Sequence, residues 1–196
     1  MELYQFPCFR ALTHLPGRCN VLADFLVPPY RARLLIHPRV APWEHIFLDY
    51  ATLPATGAGG PSKLFIMLDA ATRYCLLVPT ANEDGASSAA ALRQWCEHYP
   101  PVKAVHTDGG PAFKGLFLDY CSKHSIIVDR STAYNSKGRG LVERLVKKTK
   151  DALRRLVPPG RPEQWLSHVG DLQCLLNRMP HKALGGLSPQ QVAVQR

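Results

Sequence analysis

Residues 45–51 read His-Ile-Phe-Leu-Asp-Tyr-Ala, a short β-rich run with one carboxylate, Asp49, set among apolar neighbours. The stretch after it, Thr56-Gly-Ala-Gly-Gly-Pro-Ser62, is an evident turn. Two further strands follow, Lys-Leu-Phe-Ile-Met-Leu-Asp over 63–69 and Tyr-Cys-Leu-Leu-Val-Pro over 74–79, and three strands with short links predict an antiparallel meander. Thr80 with Glu83 three residues on is a capping-box pattern that predicts a helix through about His98, with Ala89, Leu92, Trp95 and Cys96 facing inward. A fourth strand is expected over 102–107, a short helix over 115–124 and a fifth strand over 126–128. Next comes 134–155, where a polar loop with Gly138 and Gly140 runs into a helix. Its apolar positions Val142, Leu145, Val146, Ala152, Leu153 and Leu156 recur at three- and four-residue spacing, so one side faces a core. Helical segments over about 162–177 and 188–194 close the chain. This order predicts an α/β fold, a mixed five-stranded sheet flanked by helices.

A chain of 196 residues with 46% apolar content suffices for one domain with a substantial core and short extensions. Its formal charge of +9 and pI near 9.5 favour an anionic partner, of which nucleic acid is the commonest. Apolar runs stay below about ten residues, so no membrane span is expected. The six cysteines at 8, 19, 75, 96, 121 and 174 form no Cys-x-x-Cys pair, and are expected to be reduced, mostly buried thiols of an intracellular protein.

The excess charge is concentrated. Ten Lys or Arg stand between Arg130 and Arg161 against Glu143 and Asp151. Glu143, Lys147, Lys150 and Arg154 fall at i, i+4, i+7 and i+11, which stacks one carboxylate and three cations along one helix face. Two readings are open: a solvated face with an i,i+4 ion pair, or a polyanion-binding helix with one acid poised among phosphates. The other acids bear on the choice. Asp49 lies inside a strand, and Asp108 stands where a strand gives way to Gly-Gly. An acid at either place is costly unless paired, hydrogen-bonded or bound to a cation. With Glu143 these two can form a three-carboxylate cluster at one edge of the sheet. Oxygen-only ligands suit Mg²⁺ or Mn²⁺, and a two-metal site activates a water or a 3′-hydroxyl against a phosphodiester. Asp69 has an ordinary explanation as a turn former, and Glu97, Asp119 and Asp129 read as surface acids.

Three strings carry a resemblance: Pro42-Trp-Glu-His-Ile-Phe-Leu-Asp49-Tyr, His106-Thr-Asp108-Gly-Gly-Pro-Ala-Phe, and Ala133-Tyr-Asn-Ser-Lys-Gly-Arg-Gly-Leu-Val-Glu143-Arg. Together with a late Leu184-Gly-Gly-Leu-Ser-Pro-Gln-Gln-Val, they resemble the catalytic core of retroviral and Ty3/gypsy-type retrotransposon integrases over residues 42–196. The resemblance implies a ribonuclease H-like fold with Asp49, Asp108 and Glu143 as metal-binding catalytic triad. It implies that Lys147 and Lys150 touch the donor DNA end, that Tyr134, Asn135 and Ser136 lie in the mobile active-site loop, and that Lys137, Arg139 and Arg154 add backbone contacts. The implied function is metal-dependent 3′-end processing and DNA strand transfer, with DNA as partner and a homodimer or higher oligomer to which the helix over 164–176 contributes; the expected place is intracellular, and nuclear when acting on DNA.

Residues 1–41 read as an N-terminal extension and linker. Within it, Thr13-His-Leu-Pro-Gly-Arg-Cys-Asn-Val-Leu-Ala-Asp24 resembles the end of a retroelement ribonuclease H domain, and Asp24 alone is assigned no catalytic role. The family's zinc-binding domain, with paired His and paired Cys, and its C-terminal DNA-binding barrel are not seen in these residues. Between Asp108 and Glu143 stand 34 residues, one fewer than the family's usual gap. These departures suggest a domesticated or truncated copy, and a second function: a catalytically weak or inactive integrase domain serving as a DNA- or protein-binding module.

Overall fold

The structure, a computed structural model, describes residues 40–130 and 136–194, the side chains of 136–139 excepted. All of them belong to the second of two compact units, Leu35–Arg196. The extension with His14 and Asp24, and Cys8 and Cys19, lie outside the described residues.

Five strands form one sheet in the order β3-β2-β1-β4-β5: β1 His45–Thr52, β2 Lys63–Asp69, β3 Cys75–Thr80, β4 Ala104–His106 and β5 Ile127–Asp129. The meander β1-β2-β3 is antiparallel as expected, whereas β4 and β5 join parallel to β1 after helical crossovers. Those crossovers are α1 Gly85–His98 and α2 Leu116–Lys123; α3 Ser136–Leu156, α4 Val169–Arg178 and α5 Pro189–Val194 follow the last strand.

Strand alternation divides the core in two. Ile46, Leu48, Phe65 and Met67 pack with Leu92 and Trp95 of α1 and Phe117 of α2. Phe47, Ala51, Leu64, Ile66 and Leu68 pack on the opposite side with Val142 and Leu153 of α3, Trp165, and Leu172 of α4. Covered on both faces, β2 reads as a continuous apolar run rather than an alternating one. Cys75 and Cys121 are buried free thiols, and Cys96 and Cys174 half-buried ones.

Helix α4 also closes a sheet edge. Asn177 accepts from the Cys75 N–H at 2.8 Å and donates to the Cys75 carbonyl at 2.8 Å, while Gln173 accepts from the Leu77 N–H at 2.8 Å. Three outward backbone groups of β3 are thus satisfied by side chains, which blunts this edge as a template for strand pairing.

Several expected boundaries shift. Thr80 ends β3 opposite Lys63, and Glu83 takes the Lys63 ammonium at 2.8 Å, so neither caps α1. Asp84 does, accepting from the Ser87 N–H at 2.7 Å. Residues 162–168 form a 3₁₀ segment ahead of α4 rather than one continuous helix. Leu156, expected on the apolar side of α3, is 44% exposed because the helix ends there.

Asp69 is wholly buried at the end of β2. Its carboxylate accepts from the Trp43 N–H at 2.9 Å, the Thr72 N–H at 2.7 Å and the Thr72 hydroxyl at 2.6 Å, tying the β2–β3 turn to the chain's approach to β1. Burial lifts its pKa above the ordinary Asp value, outweighing these hydrogen bonds, which lower it. The folded state therefore holds this proton to higher pH than the unfolded chain, so the associated stability is complete below the unfolded pKa and is lost as pH rises through the folded one. Asp69→Ala leaves three donors without their acceptor and is expected to cost about 3 kcal/mol in urea denaturation. A loss below about 0.5 kcal/mol, the ordinary range of a surface substitution, would show that the turn forms without it.

Candidate active site

Asp49 is the fifth residue of β1. The parallel register sets Phe47 opposite His106; carried two residues further, it brings Asp49 and Asp108 to one level, Asp108 just past the end of β4. Alternation places Asp49 on the same side as Phe47 and Ala51, the side covered by α3 through Val142. Glu143 is the next residue of that helix. Three carboxylates thus come from β1, from the exit of β4 and from the covering helix, the usual place for a ligand site in an open α/β sheet.

Local chemistry fixes the first two. Half-buried Asp49 accepts from its neighbour Tyr50's N–H at 2.8 Å. Exposed Asp108 accepts from the Gly110 N–H at 2.8 Å. A Cβ on Gly110 would stand 3.1 Å from that same carboxylate oxygen, and Gly109 has φ +76°, so both glycines serve the turn that presents Asp108. Arg130 packs its methylenes over Gly109 and donates to the Phe113 carbonyl at 3.1 Å, bracing the turn from the exit of β5.

Glu143 is exposed on α3, as are Lys147 and Arg154, while Lys150 is half-buried. Arg154 pairs with Asp151 at 3.1 Å on the surface, an interaction worth little to stability. The expected active-site loop is corrected in part: Ser136, Gly138 and Gly140 lie within α3, which begins at Ser136. The side chains of Ser136, Lys137 and Arg139, and Tyr134 and Asn135 altogether, lie outside the described residues. Asp129 is not a free surface acid. It accepts from His106 across the β4–β5 pair. Sequence reasoning misses His106 and Arg130 as well; the available signal is that His106 stands two residues before Asp108 and so shares its face.

Among the described residues no three Asp, Glu, His or Cys side chains are gathered closely enough to hold a metal ion. The donor set nevertheless fits a hard divalent cation: it is all carboxylate, Asp108 and Glu143 are exposed and Asp49 half-buried, and the β1–β4 register carried onward brings the two aspartates level.

The mixed sheet with helices on both faces is of the ribonuclease H-like class. Its order and layers match two solved structures. The HTLV-2 integrase catalytic core domain, in complex with magnesium and in a trimeric form, superposes with a TM-score of 0.63 at 18% identity, covering 78% of this chain and 97% of that one. The BIV integrase catalytic core domain gives 0.60 at 18%, covering 76% and 93%. In sequence, residues 39–136 match the family model of the integrase core domain, and the chain belongs to that family. The Tf2-3 and Tf2-4 transposon polyproteins of Schizosaccharomyces pombe are each 26% identical over 159 residues, or 79% of this chain. The chain matches only 12% of the length of those polyproteins. It is an integrase core domain of the retrotransposon and retroviral type.

Proposed function

We propose that this domain is a metal-dependent polynucleotidyl transferase that trims DNA 3′ ends and joins them to target DNA. The observation that supports the reading is the parallel β1–β4 register, which, carried two residues past its last rung, brings Asp49 and Asp108 level on the side covered by the helix that bears Glu143. Asp49, Asp108 and Glu143 would hold Mg²⁺ or Mn²⁺, which supplies activation of the attacking oxygen and neutralisation of charge on the leaving one. In trimming, a water oxygen bonds to phosphorus, the bond to the bridging 3′-oxygen breaks, and that oxygen leaves protonated as a 3′-hydroxyl. In joining, this hydroxyl attacks a target phosphodiester, so one phosphodiester replaces another and no external energy source is needed. Lys147, Lys150 and Arg154 continue the face of Glu143 along α3 and would hold the DNA backbone beside it. Tyr134, Asn135, Ser136, Lys137 and Arg139 would line the DNA at the start of that helix.

The proposal extends to a homodimer or higher oligomer, to a nuclear place of action, and to residues 1–41 as an extension preceding the core. The test is a strand-transfer assay on short labelled duplexes with Mn²⁺, comparing the wild-type chain with Glu143→Gln. Trimmed and joined products from the wild type alone are expected. Blank lanes for both, with DNA binding intact, would overturn the catalytic reading in favour of a binding module.

A further inference from the structure

The ladder between β1 and β4 is short: it runs through His45, Ile46 and Phe47 and stops two residues before Asp49 and Asp108. The β4–β5 ladder ends at the same rung, His106 opposite Asp129, with one more backbone bond from the Thr107 N–H to the Asp129 carbonyl at 3.2 Å. Short parallel pairing is the weaker kind, so its terminal rung needs other support. Side chains at that rung, and His45 two residues before it on β1, are linked. His106 Nδ1 lies 3.1 Å from Asp129 Oδ2, and His106 Nε2 lies 3.0 Å from His45 Nδ1. The two imidazoles stack at 5.2 Å between centroids, and Phe47 packs against His106 at 4.8 Å. The His106 side chain is 11% exposed and that of Asp129 31% exposed, so the chain of contacts is largely shielded from water. One row of polar side chains therefore spans β5, β4 and β1.

Resting on the catalytic reading above, we propose that Asp129 and His106 are positioning residues. They clamp the last rung of the three parallel strands and thereby set the separation of the Asp49 and Asp108 carboxylates. The Asp129 carboxylate takes the Nδ1–H of His106, which leaves the Nε2 lone pair to accept the Nδ1–H of His45. Both rings are then Nδ1–H tautomers. The arrangement parallels the carboxylate–histidine partners that orient metal ligands elsewhere, acting here through the backbone rather than through a ligand ring.

The experiment measures Mn²⁺ binding by electron paramagnetic resonance for the wild type, Asp129→Ala and Asp129→Asn, with ring ¹⁵N spectra of the wild type above the imidazole titration range. Asp129→Ala is expected to weaken Mn²⁺ binding about tenfold, the lower end of losses for outer partners of metal sites. Asp129→Asn keeps an oxygen for the His106 Nδ1–H and is expected to restore affinity to within about twofold of wild type. Equal affinity in all three chains would overturn this inference and leave the catalytic reading standing, whereas no Mn²⁺ binding by the wild type would overturn both. Should the alanine variant fail to fold, the spectra decide: an Nε2–H tautomer at His106 overturns the clamp, and an Nδ1–H tautomer supports it.

Discussion

Asp108→Asn is expected to lower DNA trimming and joining by a thousandfold or more, on the order of 4 kcal/mol of barrier, while leaving the melting temperature unchanged or slightly raised. The two effects separate because of where Asp108 sits. It is exposed, and its hydrogen bond from the Gly110 N–H is one that an asparagine Oδ1 accepts equally well. Folding therefore loses nothing. The β1–β4 register brings the like charges of Asp49 and Asp108 to one level, and neutralising one removes the repulsion between them. The chemistry loses an anionic oxygen where a hard cation needs it. A gel assay beside a thermal melt checks both halves. Activity within tenfold of wild type would remove Asp108 from the reaction, and a drop of several degrees would make it a structural residue. Acids kept at a cost to stability are expected at functional sites.

What can be read from sequence follows from what is local. The strands at 45–52 and 63–69 are legible because apolar runs end at a Gly/Pro turn or at a turn-forming Asp. Asp49, Asp108 and Glu143 stand out because each breaks an apolar pattern or sits on a periodic face, but Asp69 does so too, and the choice of these three comes from the resemblance of the strings around them. The α1 cap is misplaced because Thr80-x-x-Glu83 and Asp84 are both acceptable caps locally; the β2–β3 register takes Thr80, and Lys63 takes Glu83. The Asn177 and Gln173 contacts that close the β3 edge join residues about a hundred positions apart, 102 and 96, and no periodicity marks such partners. Asp129 looks like a surface acid for the same reason, its partner His106 being supplied by a neighbouring strand. The first turns of α3 read as loop because Gly138 and Gly140 each cost a helix about 1 kcal/mol relative to alanine, yet the helix runs through them.

The basic face of α3 separates two explanations of the chain's charge. Replacing Lys147, Lys150 and Arg154 together by Gln is expected to lower affinity for a short duplex about a hundredfold near physiological salt, and to reduce the slope of log K against log salt by about 2–3 units, at roughly 0.9 for each phosphate no longer neutralised. Gln matches Lys and Arg in helix propensity, so α3 should persist. Arg154 contributes least, its guanidinium being shared with Asp151 at 3.1 Å. The informative comparison is a second triple, Arg93→Gln, Lys114→Gln and Lys123→Gln, exposed positions on or beside α1 and α2. Either triple takes the formal charge from +9 to 9 − 3 = +6. If attraction of DNA came only from net charge, with α3 a merely solvated face, the two would weaken binding equally. If the cations beside Glu143 hold the backbone, the α3 triple loses both affinity and salt slope, and the other keeps its slope to within about half a unit, less than a single phosphate would contribute. Equal losses would return the α3 stripe to the ordinary role of keeping a helix in water.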